Sequence, residues 1–343
     1  KPGSEHNDEF IIDNGKILEI TSNYRGKSDC EIDCAGKYIF PGVIDAHVHM
    51  RVPGAAHKED FMTGSMAALS GGVTTFLDMP NNNPPVIDKK SLFAKRVLAE
   101  QDSLANFGFF FGATEENFDE VLRAKNIAGV KVYLGESTGG LLVRDDVILE
   151  GLIERLKVPI VFHAEDPDCM NRFRATCSDL NRPESHSEVR PPSCASEAMK
   201  HVLHFWKKYE YSARIHFAHV SSIDEISVLQ KFKTDYVTAE ATPHHLFLSV
   251  ADYERLGSFG KVNPPLRDVE HQKALWDALR DGLIDIVASD HAPHLKNEKE
   301  GLYDQVAAGV PGVETLFPLM LNAVYKNLID FSISLIRMST VPR

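Results

Sequence analysis

The feature that most constrains this chain is a rhythm. From about residue 38 onward, short apolar runs alternate with longer stretches of helical spacing, about eight times over. Parallel strands need a long crossover between them, so repeated strand–helix units mean a parallel sheet. Eight units is the number that closes an α/β barrel of the (β/α)8 TIM-like type. The strands predicted are 38–49, 74–80, 105–114, 129–134, 159–165, 214–221, 237–245 and 285–293. Helices are predicted near 59–69, 89–100, 118–125, 146–156, 195–209, 224–232 and 269–280, with one more from 314. In the stretch 269–280, Ala274, Leu275, Ala278 and Leu279 fall on one face. Two stretches, 134–143 and 166–193, read as irregular. A loop as long as the second is either functional or mobile in a compact domain.

The first 37 residues differ. Glu9-Phe10-Ile11-Ile12 turns at Asp13-Asn14-Gly15 into Lys16-Ile17-Leu18-Glu19-Ile20, a hairpin signal. The chain therefore reads as a small β region, 1–37, alone or as part of a composite β domain, and a barrel, 38–343.

Composition excludes several roles. With 43% hydrophobic and 25% charged residues the chain is globular rather than disordered. A net charge of −12 argues against a nucleic-acid or anionic-membrane binder, and it requires a local cation for any anionic substrate. No apolar run reaches the ~18 residues of a membrane span. Cys30, Cys34, Cys169, Cys177 and Cys194 form an odd, scattered set without a Cys-x-x-Cys pair. Neither a disulfide framework nor a zinc finger is expected from them, and a reducing, cytoplasmic compartment fits best.

Active sites of parallel barrels sit at the C-terminal ends of the strands. Metal-competent residues recur there. The first barrel strand ends Asp45-Ala46-His47-Val48-His49, and residues i and i+2 of a strand share a face. Others end His163-Ala164-Glu165, His216-Phe217-Ala218-His219 and Ser289-Asp290-His291, and Lys131 lies in Gly129-Val130-Lys131-Val132-Tyr133. Taken singly, each has an ordinary structural explanation: a hydrogen-bonded histidine, a helix cap, a lysine snorkelling to the rim. Together, four histidines and an aspartate at one end of different strands make a coherent ligand set.

The run Pro41-Gly42-Val43-Ile44-Asp45-Ala46-His47-Val48-His49-Met50-Arg51-Val52-Pro53-Gly54 resembles the signature of the cyclic amidohydrolases. Its full His-x-His-x-Arg-x-Pro-Gly form resembles the dihydroorotase branch. Further matches are Asp78-Met79-Pro80-Asn81, His163-Ala164-Glu165, His219-Val220-Ser221, Pro243-His244-His245-Leu246, Asn263-Pro264-Pro265-Leu266-Arg267, Ser289 to His294 and Pro311-Gly312-Val313-Glu314. The resemblance implies a site of two divalent metals, usually zinc. His47, His49 and Asp290 would hold the more buried ion, and His163 and His219 the more exposed one. Lys131, as a carbamate formed with carbon dioxide, would bridge them.

The reaction implied is reversible ring closure of N-carbamoyl-L-aspartate to L-dihydroorotate and water, a step of pyrimidine synthesis. Two metals would lower the pKa of a bridging water and polarise the ring carbonyl. Asp290 would take the water's proton and return it to the leaving nitrogen. Arg51, Asn81 and His294 would hold the substrate carboxylate, with Asn263 a weaker candidate, and Arg51 would be the cation that the net charge calls for. Ser137 and Thr138, in a glycine-rich segment, would form a lid. The partner implied is a small molecule, with a homo-oligomer or a second pathway enzyme left open. Allantoinase and the hydantoinases share the metal ligands, and a catalytically dead barrel scaffold would have lost some of them. The family usually continues into strands that complete a small β domain. This chain ends soon after its last helical stretch, so it is either incomplete or reduced there.

Overall fold

The structure is a computed structural model that describes residues 9–135, 140–210 and 212–340. It divides into two compact units, Lys1–Pro41 and Gly42–Arg343. In the first, β1 (Glu9–Asp13) pairs antiparallel with β2 (Lys16–Thr21). Asn14 and Gly15 both take positive φ, 48° and 73°, the turn that matches the twist of two short strands.

The second unit is the barrel. Its strands are β3 (Val43–Val48), β4 (Val73–Asp78), β5 (Asn106–Gly112), β6 (Gly129–Tyr133), β7 (Ile160–His163), β8 (Ile215–Phe217), β9 (Val237–Ala241) and β10 (Ile286–Val287). They pair in sequence order, all parallel. The ring closes through a parallel bridge between Val48 and His291, where the His49 N–H donates to the His291 carbonyl at 2.7 Å. All eight predicted barrel strands are present and shorter than their apolar runs. β3 starts at Val43 because Pro41 has no N–H to give, and because Gly42 lies so close to Thr74 that a Cβ would sit 2.0 Å from its hydroxyl.

The helices between the strands cover the barrel. Asp60 and Asp88 cap the helices Phe61–Ser70 and Lys89–Asp102, each exchanging hydrogen bonds with the residue three further on. In β6, Val130 and Val132 join the main apolar core while Lys131 and Tyr133 alternate to the other face. One apolar layer thus fixes which side chains point at the barrel axis.

The stretch 166–193 is not irregular. It holds two helices, Pro167–Thr176 and Pro183–Val189, each with proline in its first turn. Neither shows enough apolar periodicity to stand out in sequence. Nor are the cysteines all free, as their spacing suggested: Cys169 and Cys194 form a disulfide. The pair is 25 residues apart, so no short motif marks it. The fold brings together the starts of helices Pro167–Thr176 and Pro192–Lys208, and the Asp166 N–H donates to the Cys194 carbonyl at 3.0 Å. No helix among the described residues is long and apolar enough to cross a membrane.

Candidate metal centre and carboxylate clamp

Asp290, just past β10, receives two imidazoles from β3 and its end. His47 Nε2 lies 3.2 Å and His49 Nε2 3.1 Å from the same oxygen, Asp290 Oδ1. The protons of both rings are committed elsewhere. His47 Nδ1–H donates to Glu240 Oε1 at 2.5 Å, and His49 Nδ1–H donates to Asn81 Oδ1 at 2.8 Å. Both Nε2 atoms therefore present lone pairs, and they meet a carboxylate oxygen. Three electron-pair donors converging in a buried site call for a cation among them, and the three residues form the metal-competent cluster of the described chain.

A second pair lies beside it. His163 Nδ1 and His219 Nε2 face each other at 2.9 Å, and the rings of His47 and His219 are 5.5 Å apart. Glu165 draws the His163 proton to Nε2 (3.0 Å) and is itself held by Arg190 at 2.5 Å. His219 Nδ1 and Lys131 Nζ are buried without hydrogen-bond partners. Unpartnered buried groups of this kind are costly, and here they lie beside the ligand cluster.

The electrostatics follow from burial. It pushes His49 down to about 4 and His219 well below the usual imidazole range, so both stay neutral and can ligate. It pushes Lys131 down to about 8, against the pull of Glu240 and Asp290. Burial would raise the Glu240 carboxyl, but His47 and His216 outweigh it and hold the group well below the carboxylate range.

Three of these residues have backbones that side chains rarely adopt: Arg51 at φ 62°, His219 at 38° and Asp290 at 47°. Strain of this kind gathers where side-chain direction is fixed by the surrounding structure. Gly54, at φ 99°, lies where a Cβ would be 1.9 Å from the Asn83 carbonyl, so only glycine lets the Arg51 loop pack on the Asn81–Pro84 loop.

Next to the cluster, Arg51 donates from Nε to the Pro293 carbonyl at 3.0 Å, and its Nη2 lies 3.1 Å from His294 Nε2. Asn81 abuts this corner through its bond to His49. Asn263 lines a cavity of about 480 Å³ together with Arg190, Lys261 and Tyr303, and its Oδ1 accepts from His186 Nε2 at 2.9 Å. Ser137 and Thr138 fall outside the described residues.

Sequence reasoning missed the residues behind the ligands. Glu240 joins His47, His216 Nε2 (3.1 Å) and the His219 N–H (3.1 Å). The one available signal was a carboxylate inside the apolar strand Val237–Ala241. Glu59, which bonds the His291 ring, gave no signal at all.

Imidazole and carboxylate electron pairs converging at the strand ends of a (β/α)8 barrel define a metal-dependent hydrolase site. Residues 38–340 match the amidohydrolase family, and the chain belongs to that family. Among its relatives is the dihydroorotase of Methanosarcina acetivorans, 41% identical over 337 residues, which are 94% of this chain and 72% of that protein. The dihydroorotase of Methanothermobacter thermautotrophicus is 35% identical over 335 residues, 94% of this chain and 72% of that one. Among solved structures, the L-hydantoinase of Arthrobacter aurescens superposes with a TM-score of 0.91 at 27% identity, covering 98% of this chain and 77% of that one.

Proposed function

We propose that this chain catalyses the dihydroorotase reaction, the reversible closure of N-carbamoyl-L-aspartate to L-dihydroorotate and water. The observation that carries the reading is the Arg51–His294 corner beside the His47–His49–Asp290 cluster. Arg51 is always cationic, and a planar guanidinium suits a carboxylate that remains on the ring after closure. The dihydroorotase relatives support the same reading more strongly than the hydantoinases do, 41% against 27% identical.

The donor set fits two divalent ions, with zinc proposed. His47, His49 and Asp290 would hold one and His163 and His219 the other. The unpartnered Lys131 would serve both as a carbamate; its amine adds carbon dioxide and loses a proton. When bound, such ions lower the pKa of water and polarise an amide carbonyl.

The chain's own groups do the rest. Asp290 takes the proton of the attacking water and returns it to the leaving ring nitrogen. Both imidazole contacts fall on Oδ1, which leaves Oδ2 as the oxygen to carry that proton. Glu240 and Asn81 fix the two β3 imidazoles with Nε2 inward. Arg51 and His294 hold the carboxylate and so orient the ring amide, with Asn263 a further candidate for substrate contact from the neighbouring cavity. A cytoplasmic location is part of the same proposal.

The test is metal analysis of the purified protein together with turnover of dihydroorotate, allantoin and dihydrouracil. Bound divalent metal with dihydroorotate as the preferred substrate is expected. Preference for either of the other two overturns the substrate assignment.

A further inference from the structure

His294 has a bonding pattern that decides where its proton is. Its Nε2 lies 3.0 Å from the Ala308 carbonyl oxygen, which can only accept, so Nε2 carries the hydrogen. Its Nδ1 lies 3.1 Å from Lys58 Nζ, an ammonium that can only donate, so Nδ1 is a lone pair. Lys58 is in turn held by Glu298 at 3.0 Å.

This creates a conflict on the other side of the ring. Arg51 Nη2 is 3.1 Å from the same Nε2, and both atoms are donors. Two N–H donors facing each other repel unless an acceptor takes both. A carboxylate oxygen beside them would take the Arg51 hydrogen and share the Nε2 hydrogen with the Ala308 carbonyl, which turns a poor contact into a clamp. The opposite tautomer would offer Arg51 a lone pair instead. The two side chains would then satisfy each other and the clamp would be closed to substrate.

We propose that Lys58 is a positioning residue for substrate specificity: by donating to His294 Nδ1 it joins the Ala308 carbonyl in keeping the hydrogen on Nε2, so that His294 and Arg51 are jointly poised for a carboxylate. The inference rests on the proposed carboxylate-bearing substrate. Burial, followed by the charges of Arg51 and Lys58, pushes His294 down to about 4, in keeping with a neutral ring. Lys58 itself needs no contact with substrate.

The test compares Lys58→Met with Lys58→Arg, which keeps a cationic donor. Lys58→Met should raise KM for dihydroorotate about tenfold, the scale of one charge-assisted hydrogen bond, with kcat within about twofold and bound metal unchanged. Lys58→Arg should recover most of the loss. Nitrogen NMR of ring-labelled histidine, with the His294 signal identified from a His294→Asn variant, should show Nε2–H in the wild type and a tautomer mixture in Lys58→Met. A Lys58→Met enzyme with wild-type KM, or an unchanged His294 tautomer, overturns the proposal. The NMR reading needs no turnover, so a wild type inactive on dihydroorotate defeats the substrate reading separately.

Discussion

Among the described residues, Lys95 and Lys131 are both fully buried, and their surroundings are opposite. Lys95, in the helix Lys89–Asp102, pairs with Asp78 Oδ2 at 2.8 Å and donates to the Met79 carbonyl at 2.6 Å and to Asn82 Oδ1 at 2.7 Å. The ammonium thus has one ion pair and two hydrogen bonds. Lys131, on β6, has no hydrogen-bond partner, and lies over the Tyr133 ring with Nζ 5.2 Å from its centre. Removing an ammonium from water costs several kcal/mol unless partners replace the hydration. Lys95 meets that condition, and these contacts hold the loop that presents Asn81 to His49. Lys131 does not meet it, and it faces Glu240 and Asp290 from the strand side of the candidate site. A buried lysine ringed by partners is part of the scaffold. One without any fits the carbamate proposed above.

Lys131→Ala breaks this comparison most sharply. It should lose nearly all bound metal and activity while the chain stays folded, and short carboxylic acids should restore part of both by supplying the missing bridge. Metal analysis with and without added acid reads this directly, and full activity in the variant would remove Lys131 from the site. Lys95→Met should act in the opposite way. It leaves the Asp78 carboxylate buried without a counter-ion, at about 3–5 kcal/mol of unfolding free energy in a urea titration. A stability within 1 kcal/mol of wild type would mean that the Lys95 network holds nothing in place.

Most of the barrel was legible in the chain because each strand is an apolar run between turn signals and each crossover has helical spacing. The proposed ligand residues stood out because a parallel barrel puts chemistry at its strand ends, where His47, His49, His163, His219 and Asp290 all fall. The groups behind them were not. Glu240 reaches His47 across 193 residues and Glu59 reaches His291 across 232. Cys169 and Cys194 meet only once two helices have packed. Such contacts have no local period. They exist only in the closed ring.

The central claim is that the metal-competent strand ends supply chemistry shared across the family, while the Arg51 corner selects a substrate bearing a carboxylate. Arg51→Met tests it most directly. The substitution keeps much of the side-chain volume and removes the charge, and Arg51 is not among the proposed metal ligands. Steady-state kinetics on dihydroorotate should show kcat/KM lower by roughly 10- to 150-fold, the equivalent of about 1.5–3 kcal/mol for a lost charge-assisted pair, with bound metal at the wild-type level. Unchanged kinetics on dihydroorotate, or a loss of metal that accounts for the whole effect, would contradict the division of labour between the two regions.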